Sequence, residues 1–297
     1  MMQEYKAVCY GEILWDVLPS GAKPGGAPMN VAYHLQKLGV TATLISKIGK
    51  DSWGNELIAL LQKQTIETGY IQIDLEHATG MVNACIREGN EVEYDIVFPV
   101  AWDFISMQQA LISLVQQTKY FVFGSLASRN DVSGNTLLEL LEAANTKVLD
   151  INLRSPHFKR NTLETLLNKA DILKLNEHEV NLIAGWLSKF DSLQDRVKSI
   201  QEHFEIATIL VTRGGHGALV NDRGNFYEHP GYKVRVEDTV GSGDAFLAAY
   251  LFKLDNNKTP QESLAFANAL GAFIATQPGA CPIYSLEMVY DLIEKAS

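Results

Sequence analysis

Asp238-Thr-Val-Gly-Ser-Gly-Asp244, continued without a break by Ala245-Phe-Leu-Ala-Ala-Tyr-Leu251, is the stretch from which the rest of the chain is best read. Two glycines and a serine run into an apolar helical pattern, so consecutive backbone N–H groups can be aimed at one point where the helix dipole is positive. That geometry holds an anion. Asp244 falls on the first turn, beside the place where a phosphoryl group would rest, and a carboxylate there repels phosphate unless it has a task. Accepting the proton of an attacking hydroxyl is the economical task. The same residues also make an ordinary turn with an acid at a helix start. The surrounding segments decide between the two readings.

Working outward, strand-like apolar runs alternate with helical patterns almost from end to end, which predicts a mostly parallel sheet covered by helices on both faces. Strands are expected at 6–14, 41–48, 120–123, 147–151, 171–175 and 207–212. Helices are expected at 28–38, 52–64, 107–117, 132–144, 177–186, 193–203, 260–275 and 285–295, besides the one that carries Asp244. One region breaks the alternation. From Gly80 to Val100 the pattern turns period-2 around Glu88-Gly-Asn90, which marks a hairpin. It is read as a small β lid inserted in one domain spanning 1–297; an edge extension of the main sheet is the alternative.

Composition limits the function. The 297 residues carry a formal charge of −10 with no basic stripe, which excludes a nucleic-acid surface but not a single nucleotide held by local donors. Cys9, Cys85 and Cys281 are scattered without CxxC spacing, and the seven histidines form no HExxH, so neither a disulfide framework nor a zinc site is expected. No run of about 18 apolar residues and no signal-peptide centre at the N-terminus are present, so a soluble, cytoplasmic protein without membrane partners is expected.

Several further segments carry chemistry, each with a plainer reading beside it. Gly25-Gly-Ala-Pro-Met-Asn30 opens a helix; its glycines let backbone approach a ligand, and Asn30 offers a donor and an acceptor to a hydroxylated one. Asp16 follows the first strand-like run and is placed near a strand's carboxyl end, where a carboxylate can bind two neighbouring hydroxyls, or it is an exposed loop acid. Asn176 and Glu179, three apart at a strand-to-helix crossing, suit waters around Mg²⁺ or a capping box equally well. Val211-Thr-Arg-Gly-Gly-His-Gly217 ends a strand with three glycines, fit for a nucleotide or for a hairpin turn. Gly21 and Gly26 have P-loop spacing, but Ala27 and Pro28 follow where Lys and Ser/Thr are required, and no GxGxxG follows the first strand.

In this order the segments resemble the PfkB (ribokinase-like) sugar kinase family, and within it most closely the fructokinases. The resemblance spans nearly the full length, from Gly11-Glu12 and Asp16 through Gly25-Gly26, Asn30, Asn176, Glu179, Thr212, Gly214 and Gly217 to Asp238–Asp244. It implies a three-layer ribokinase-like α/β fold and an ATP- and Mg²⁺-dependent kinase. Asp244 would be the base, with the amides of Gly241, Ser242 and Gly243 as the anion hole. Asp16, Gly26 and Asn30 would bind sugar hydroxyls. Asn176 and Glu179 would serve Mg²⁺ and phosphate, Glu179 through water; Thr212, Gly214 and Gly217 would line the nucleotide site, with Asn268, Gly271 and Ala272 as its adenine-side wall. Asp238, the Val240 carbonyl and the Gly279-Ala280 turn resemble a K⁺ loop. A homodimer through the lid is a further expectation of the resemblance.

Ala27 stands where several relatives carry Lys, and the segment offers no fixed cation for a phosphorylated sugar, so a neutral hexose, fructose, is expected to be phosphorylated at O6. Pro99-Val-Ala-Trp-Asp103 resembles the fructokinase version of the segment that leaves the lid. Arg154, in Asp150-Ile-Asn-Leu-Arg154, can hold a substrate carboxylate, an ATP phosphate or a neighbouring acid. 2-Keto-3-deoxygluconate is therefore the alternative substrate. A sugar-binding regulator without turnover is the remote one, and an intact Asp244 argues against it.

Overall fold

Gly11 takes a backbone φ of +140°, outside the range of a strand, and this single residue splits the first apolar run in two. The computed structural model describes residues 4–18, 21–86 and 92–296. Before Gly11 lies β1 (Ala7–Tyr10); after it come β2 (Leu14–Leu18) and β3 (Gly21–Gly25), in a different sheet. The chain continues through α1 (Ala27–Lys37), β4 (Ala42–Gly49), α2 (Ser52–Lys63), β5 (Ile71–Asp74), β6 (Gly80–Ile86) and β7 (Val92–Ile96). Next are α3 (Gln109–Gln116), β8 (Tyr120–Gly124), α4 (Asp131–Ala143), β9 (Thr146–Asp150), α5 (Arg160–Leu167) and β10 (Ile172–Asn176). Then follow α6 (Glu177–Leu187), α7 (Leu193–Phe204), β11 (Thr208–Thr212), β12 (Ala218–Asp222) and β13 (Asn225–His229). The helices α8 (Ser242–Asp255), α9 (Pro260–Ala275) and α10 (Leu286–Ala296) close the chain.

Among the described residues the main sheet has nine strands in the order β13-β12-β11-β10-β9-β8-β1-β4-β5, and all neighbours are parallel except β11–β12 and β12–β13. Two apolar clusters cover its faces. One joins α1, α8 and α9 to the sheet through Leu35, Leu44, Leu247 and Leu270; the other joins α3 to α7 through Leu114, Leu140, Leu166, Ile183 and Ile200. The expected three-layer α/β arrangement is thus observed, because strands buried on both faces need helices on both. No helix among the described residues is long and apolar enough to cross a membrane.

The second sheet has the order β3-β2-β6-β7. Its β6 and β7 pair antiparallel as the 80–100 pattern predicts, while the Glu88-Gly-Asn90 turn lies outside the described residues. The segment 80–100 is only half of this sheet, however. Residues 14–18, expected to end or follow the first strand of the main sheet, supply β2, which pairs parallel with β6 and antiparallel with β3. Leu14, Val82, Ile96, Val100 and Trp102 form its own small core. The sheet is fastened where β7 leaves it: the buried Arg129 pairs with the buried Asp103, donates to the carbonyl of Val97, and lies 4.0 Å over the Trp102 ring.

Candidate active site

Residues that the sequence scatters from 12 to 281 converge where the carboxyl ends of β9 and β10 meet the N-termini of α1 and α8. Helix α8 starts at Ser242 with Gly241 as its N-cap, and the cap has no side chain to satisfy the first-turn amides. The Ser242 N–H makes a long bond of 3.3 Å back to the Thr239 carbonyl. The Ser242 hydroxyl is buried without a partner, so a polar group is held ready there for something else. Beside the turn stands Lys174. A Cβ placed on Gly243 would lie 3.1 Å from its Nζ. Uncapped amides, an orphan hydroxyl and a buried ammonium together fit a phosphate.

Asp244 is buried at this point, and its Oδ2 accepts a hydrogen bond of 2.8 Å from Asn30 Nδ2 on α1. Burial, and then the charge of Asp150, push its carboxyl up to about 6; Lys174, Asn30 and Arg154 oppose them. The group is ionised at neutral pH and is far more basic than an ordinary aspartate. Lys174 and Asp150 face each other on adjacent strands and form a buried pair with contacts of 2.9 and 2.8 Å. Burial disfavours the ammonium, but Asp150 and Asp244 outweigh it and hold Lys174 above the ordinary lysine range. Lys174 therefore stays charged beside the turn. Neither Lys174 nor Asp150 stood out in the sequence, since their pairing depends on strand register.

The N-cap of α1, Gly26, has φ +114°, and a Cβ on it would lie 2.3 Å from the Glu12 carbonyl, so only glycine brings α1 this close. Glu12 is buried; its Oε1 accepts from the Ala27 N–H and its Oε2 has no partner. Burial above all pushes it up to about 7. Asp16 lies on β2 of the second sheet rather than after a strand of the main one, because Gly11 has turned the chain away. Burial pushes Asp16 up to about 6, with Arg154 drawing it down and Asp238 raising it. The field of Arg154 reaches Glu12, Asp16 and Asp244 alike. Residues 25–30 themselves carry no cation, but one stands just before them on β3. Lys23 is the register partner of Asp16, and its Nζ lies 3.5 Å from where a Gly279 side chain would begin.

On the other side, Asn176 and Glu179 form the capping box that was the plainer reading. Asn176 Oδ1 accepts from the Glu179 N–H at 2.9 Å, and Glu179 Oε2 accepts from the Asn176 N–H at 2.8 Å. Glu179 Oε1 takes the N–H of Leu153, which ties the Arg154 loop to α6. Burial and Asp150 raise the Glu179 carboxyl. No group of three or more His, Cys, Asp or Glu converges as a metal site among the described residues. Residues 213–217 turn β11 back into the antiparallel β12, so the hairpin reading describes the backbone there. Gly214 faces open space, whereas Gly217 packs on the backbone of His229 to Gly231. Thr212 bonds the Leu175 carbonyl at 3.4 Å, and Asn268 is buried and bonds its own helix at Leu264. Gly271 brings α9 against the Ser242 carbonyl. Nearby, a cavity of about 840 Å³ is lined by Gly215, Gly231, Tyr232, Phe273 and Thr276, ample for a nucleobase.

The 238–241 loop meets the 279–280 turn as expected. Asp238 accepts from the N–H groups of Val240 and Gly279, both at 3.0 Å. The Ala280 carbonyl, however, already accepts from His34 Nε2 at 2.9 Å, which leaves it one lone pair for any ion.

Known proteins share this frame. A family model described as pfkB family carbohydrate kinase matches residues 7–286. Fructokinase-1 of Oryza sativa subsp. japonica is 30% identical over 97% of this chain and 98% of its own. The crystal structure of a fructokinase with bound ATP from Xylella fastidiosa superposes with a TM-score of 0.86 over 98% of both chains, at 23% identity. That of an uncharacterized sugar kinase from Pyrococcus horikoshii in complex with ATP gives 0.79 at 27% identity, over 93% of this chain and 94% of its own.

Proposed function

We propose that this chain, which belongs to the pfkB family of carbohydrate kinases, transfers the γ-phosphoryl group of ATP to a primary hydroxyl of a neutral sugar, fructose at O6 before others. The observation that carries the reading is the carboxylate of Asp244, held by Asn30 beside the uncapped start of α8. Asp16, Asn30 and the backbone at Gly26 bind the sugar hydroxyls. As the hydroxyl oxygen bonds to phosphorus, its proton passes to Asp244 Oδ1, the oxygen that Asn30 leaves free, and ADP departs with the electron pair of the broken P–O bond. The first-turn amides of α8 and the Lys174 ammonium face the charge that develops on the transferring group. The second sheet, which carries Asp16, closes over the sugar and excludes water as a competing acceptor.

Thr212, Gly214 and Asn268 bound the nucleotide. Mg²⁺ arriving on the phosphates would be held by Glu179 through water and would neutralise phosphate charge. A K⁺ ion would be held by Asp238 and the Val240 carbonyl, with Ala280 contributing its second lone pair.

A second reading has an observation of its own. The charge of Arg154 bears on Asp16 and Lys23 is the register partner of Asp16 on β3, and cations on that side suit an acidic sugar such as 2-keto-3-deoxygluconate. Initial rates with ATP across fructose, ribose, glucose, 2-keto-3-deoxygluconate and fructose 6-phosphate separate the two. Fructose is expected to give the highest kcat/KM, and Asp16→Ala to raise its KM by about 30-fold, equivalent to ~2 kcal/mol of charge-assisted hydrogen bonding. If the keto acid is preferred and Arg154→Ala abolishes the preference, Arg154 is a carboxylate clamp and the fructose assignment is wrong. Absence of turnover with every sugar would instead leave a binding protein.

A further inference from the structure

Asn30 is held from two sides. Its Nδ2 donates to Asp244, and its Oδ1 lies 3.3 Å from the Sγ of Cys281, a free cysteine 251 residues away in sequence. The thiol is not there by chance of a loose loop, since both residues flanking it are bonded to the same helix. The Ala280 carbonyl accepts from His34 and the Pro282 carbonyl accepts from the Tyr33 hydroxyl at 2.5 Å. A carbonyl only accepts, so His34 Nε2 carries the ring proton and Nδ1 receives the hydroxyl of Tyr284 at 3.0 Å. Burial keeps His34 neutral by lowering it to about 4, in keeping with this tautomer. Asn30, Tyr33 and His34, spaced i, i+3 and i+4 on α1, thus button residues 280–284 against the helix that faces the sugar.

We propose that Cys281 is a positioning residue for phosphoryl transfer: its S–H holds the Asn30 carboxamide by the oxygen, which turns the amide nitrogen to Asp244 Oδ2 and leaves Asp244 Oδ1 to the acceptor hydroxyl. The inference rests on the reading of Asp244 as the base. Burial and then the charge of Asp244 hold the thiol well above its ordinary range, so it stays a protonated donor and a poor nucleophile rather than a redox switch. Without it the Asn30 oxygen is left unpaired and the carboxamide is free to swing from Asp244.

The experiment compares Cys281→Ala, Cys281→Ser, Asn30→Ala and Asp244→Asn with the wild-type enzyme in steady-state assays varying sugar and ATP separately. Cys281→Ala is expected to lower kcat/KM for the sugar by about tenfold, the scale of one buried acceptor left unpaired, with the KM for ATP unchanged within twofold. Cys281→Ser, which restores a donor, is expected to recover the sugar kinetics to within about threefold of wild type. Wild-type kinetics in Cys281→Ala, or a serine variant as impaired as alanine, overturns the proposal. So does a loss shared equally by the ATP KM and accompanied by a lower Tm, which would mark a merely structural thiol. Should Asn30→Ala and Asp244→Asn be inactive while Cys281→Ala is normal, only this inference falls; turnover retained in Asp244→Asn removes the catalytic reading itself.

Discussion

Replacing Asp244 by Asn is expected to lower kcat by about 10²-fold or more while leaving the affinities for ATP and sugar within a few fold, and to make the unliganded protein more stable at neutral pH. The kinetic half follows from geometry: the amide keeps the shape and the Asn30 contact but cannot accept the hydroxyl proton. The stability half follows from linkage. Burial first, then Asp150, raises Asp244 to about 6, so the ionised form is disfavoured in the folded state. A group raised on folding contributes fully below its unfolded value and loses that contribution as pH rises through the folded one. Between pH 4 and 7 the wild type therefore gives up as much as ~3 kcal/mol that the Asn variant keeps, as two pKa units imply. Thermal unfolding at pH 7.5 should show a higher Tm for the variant, and the gap should close near pH 4. In the same terms, wild-type kcat/KM should fall as pH drops through about 6. A variant with a tenth of wild-type turnover, or an unshifted Tm, sinks the assignment of Asp244 as a desolvated base.

Gly241→Ala is expected to be nearly as damaging, and more so than Gly243→Ala. Gly241 has φ +77°, and a Cβ there would stand 2.6 Å from the Cα and Cβ of Ala280, which is bonded to His34 and cannot retreat. The N-cap must shift, and with it the amides of the first turn; loss of one well-placed donor costs ~3 kcal/mol of transition-state stabilisation, or about 10²-fold in kcat. At Gly243 the added methyl meets only the end of Lys174, 3.1 Å away, so the cost should be about tenfold, through the displaced ammonium. Equal kcat losses in the two variants, or an effect of Gly241→Ala confined to the sugar KM, would show that the 241–243 turn does not cradle the phosphoryl group.

Local pattern carried much of this site into view because the residues concerned act through backbone geometry that sequence encodes locally. Gly241-Ser-Gly-Asp244 is uncapped by composition, and Asn176 with Glu179 spells a capping box whatever else it does. Periodicity likewise located most helices to within two residues, since each needs an apolar face at 3.6-residue spacing. It missed α5, whose buried Leu163, Leu166 and Leu167 follow a polar start, and the β12–β13 hairpin, although Arg223 and Gly224, both at positive φ, close it with an ordinary tight turn.

What the sequence by itself determined is most of the helix starts, the alternation that demands a parallel sheet, and the identity of Asp244 and Asn30 as polar groups at glycine-rich helix starts; it singled out Asp16 but not the second sheet that carries it. Tertiary structure alone decided which side chains share one electrostatic environment. Lys174 meets Asp150 only through the β9–β10 register, Lys23 faces Asp16 only because Gly11 diverts the chain into a second sheet, and Cys281 reaches Asn30 only because His34 and Tyr33 fasten the far end of the chain to α1. Sequence periodicity reports the face on which a residue lies. The pKa of Asp244 depends instead on charges and desolvation supplied by residues from 30 to 174, and such long-range neighbours are fixed only when the layers pack.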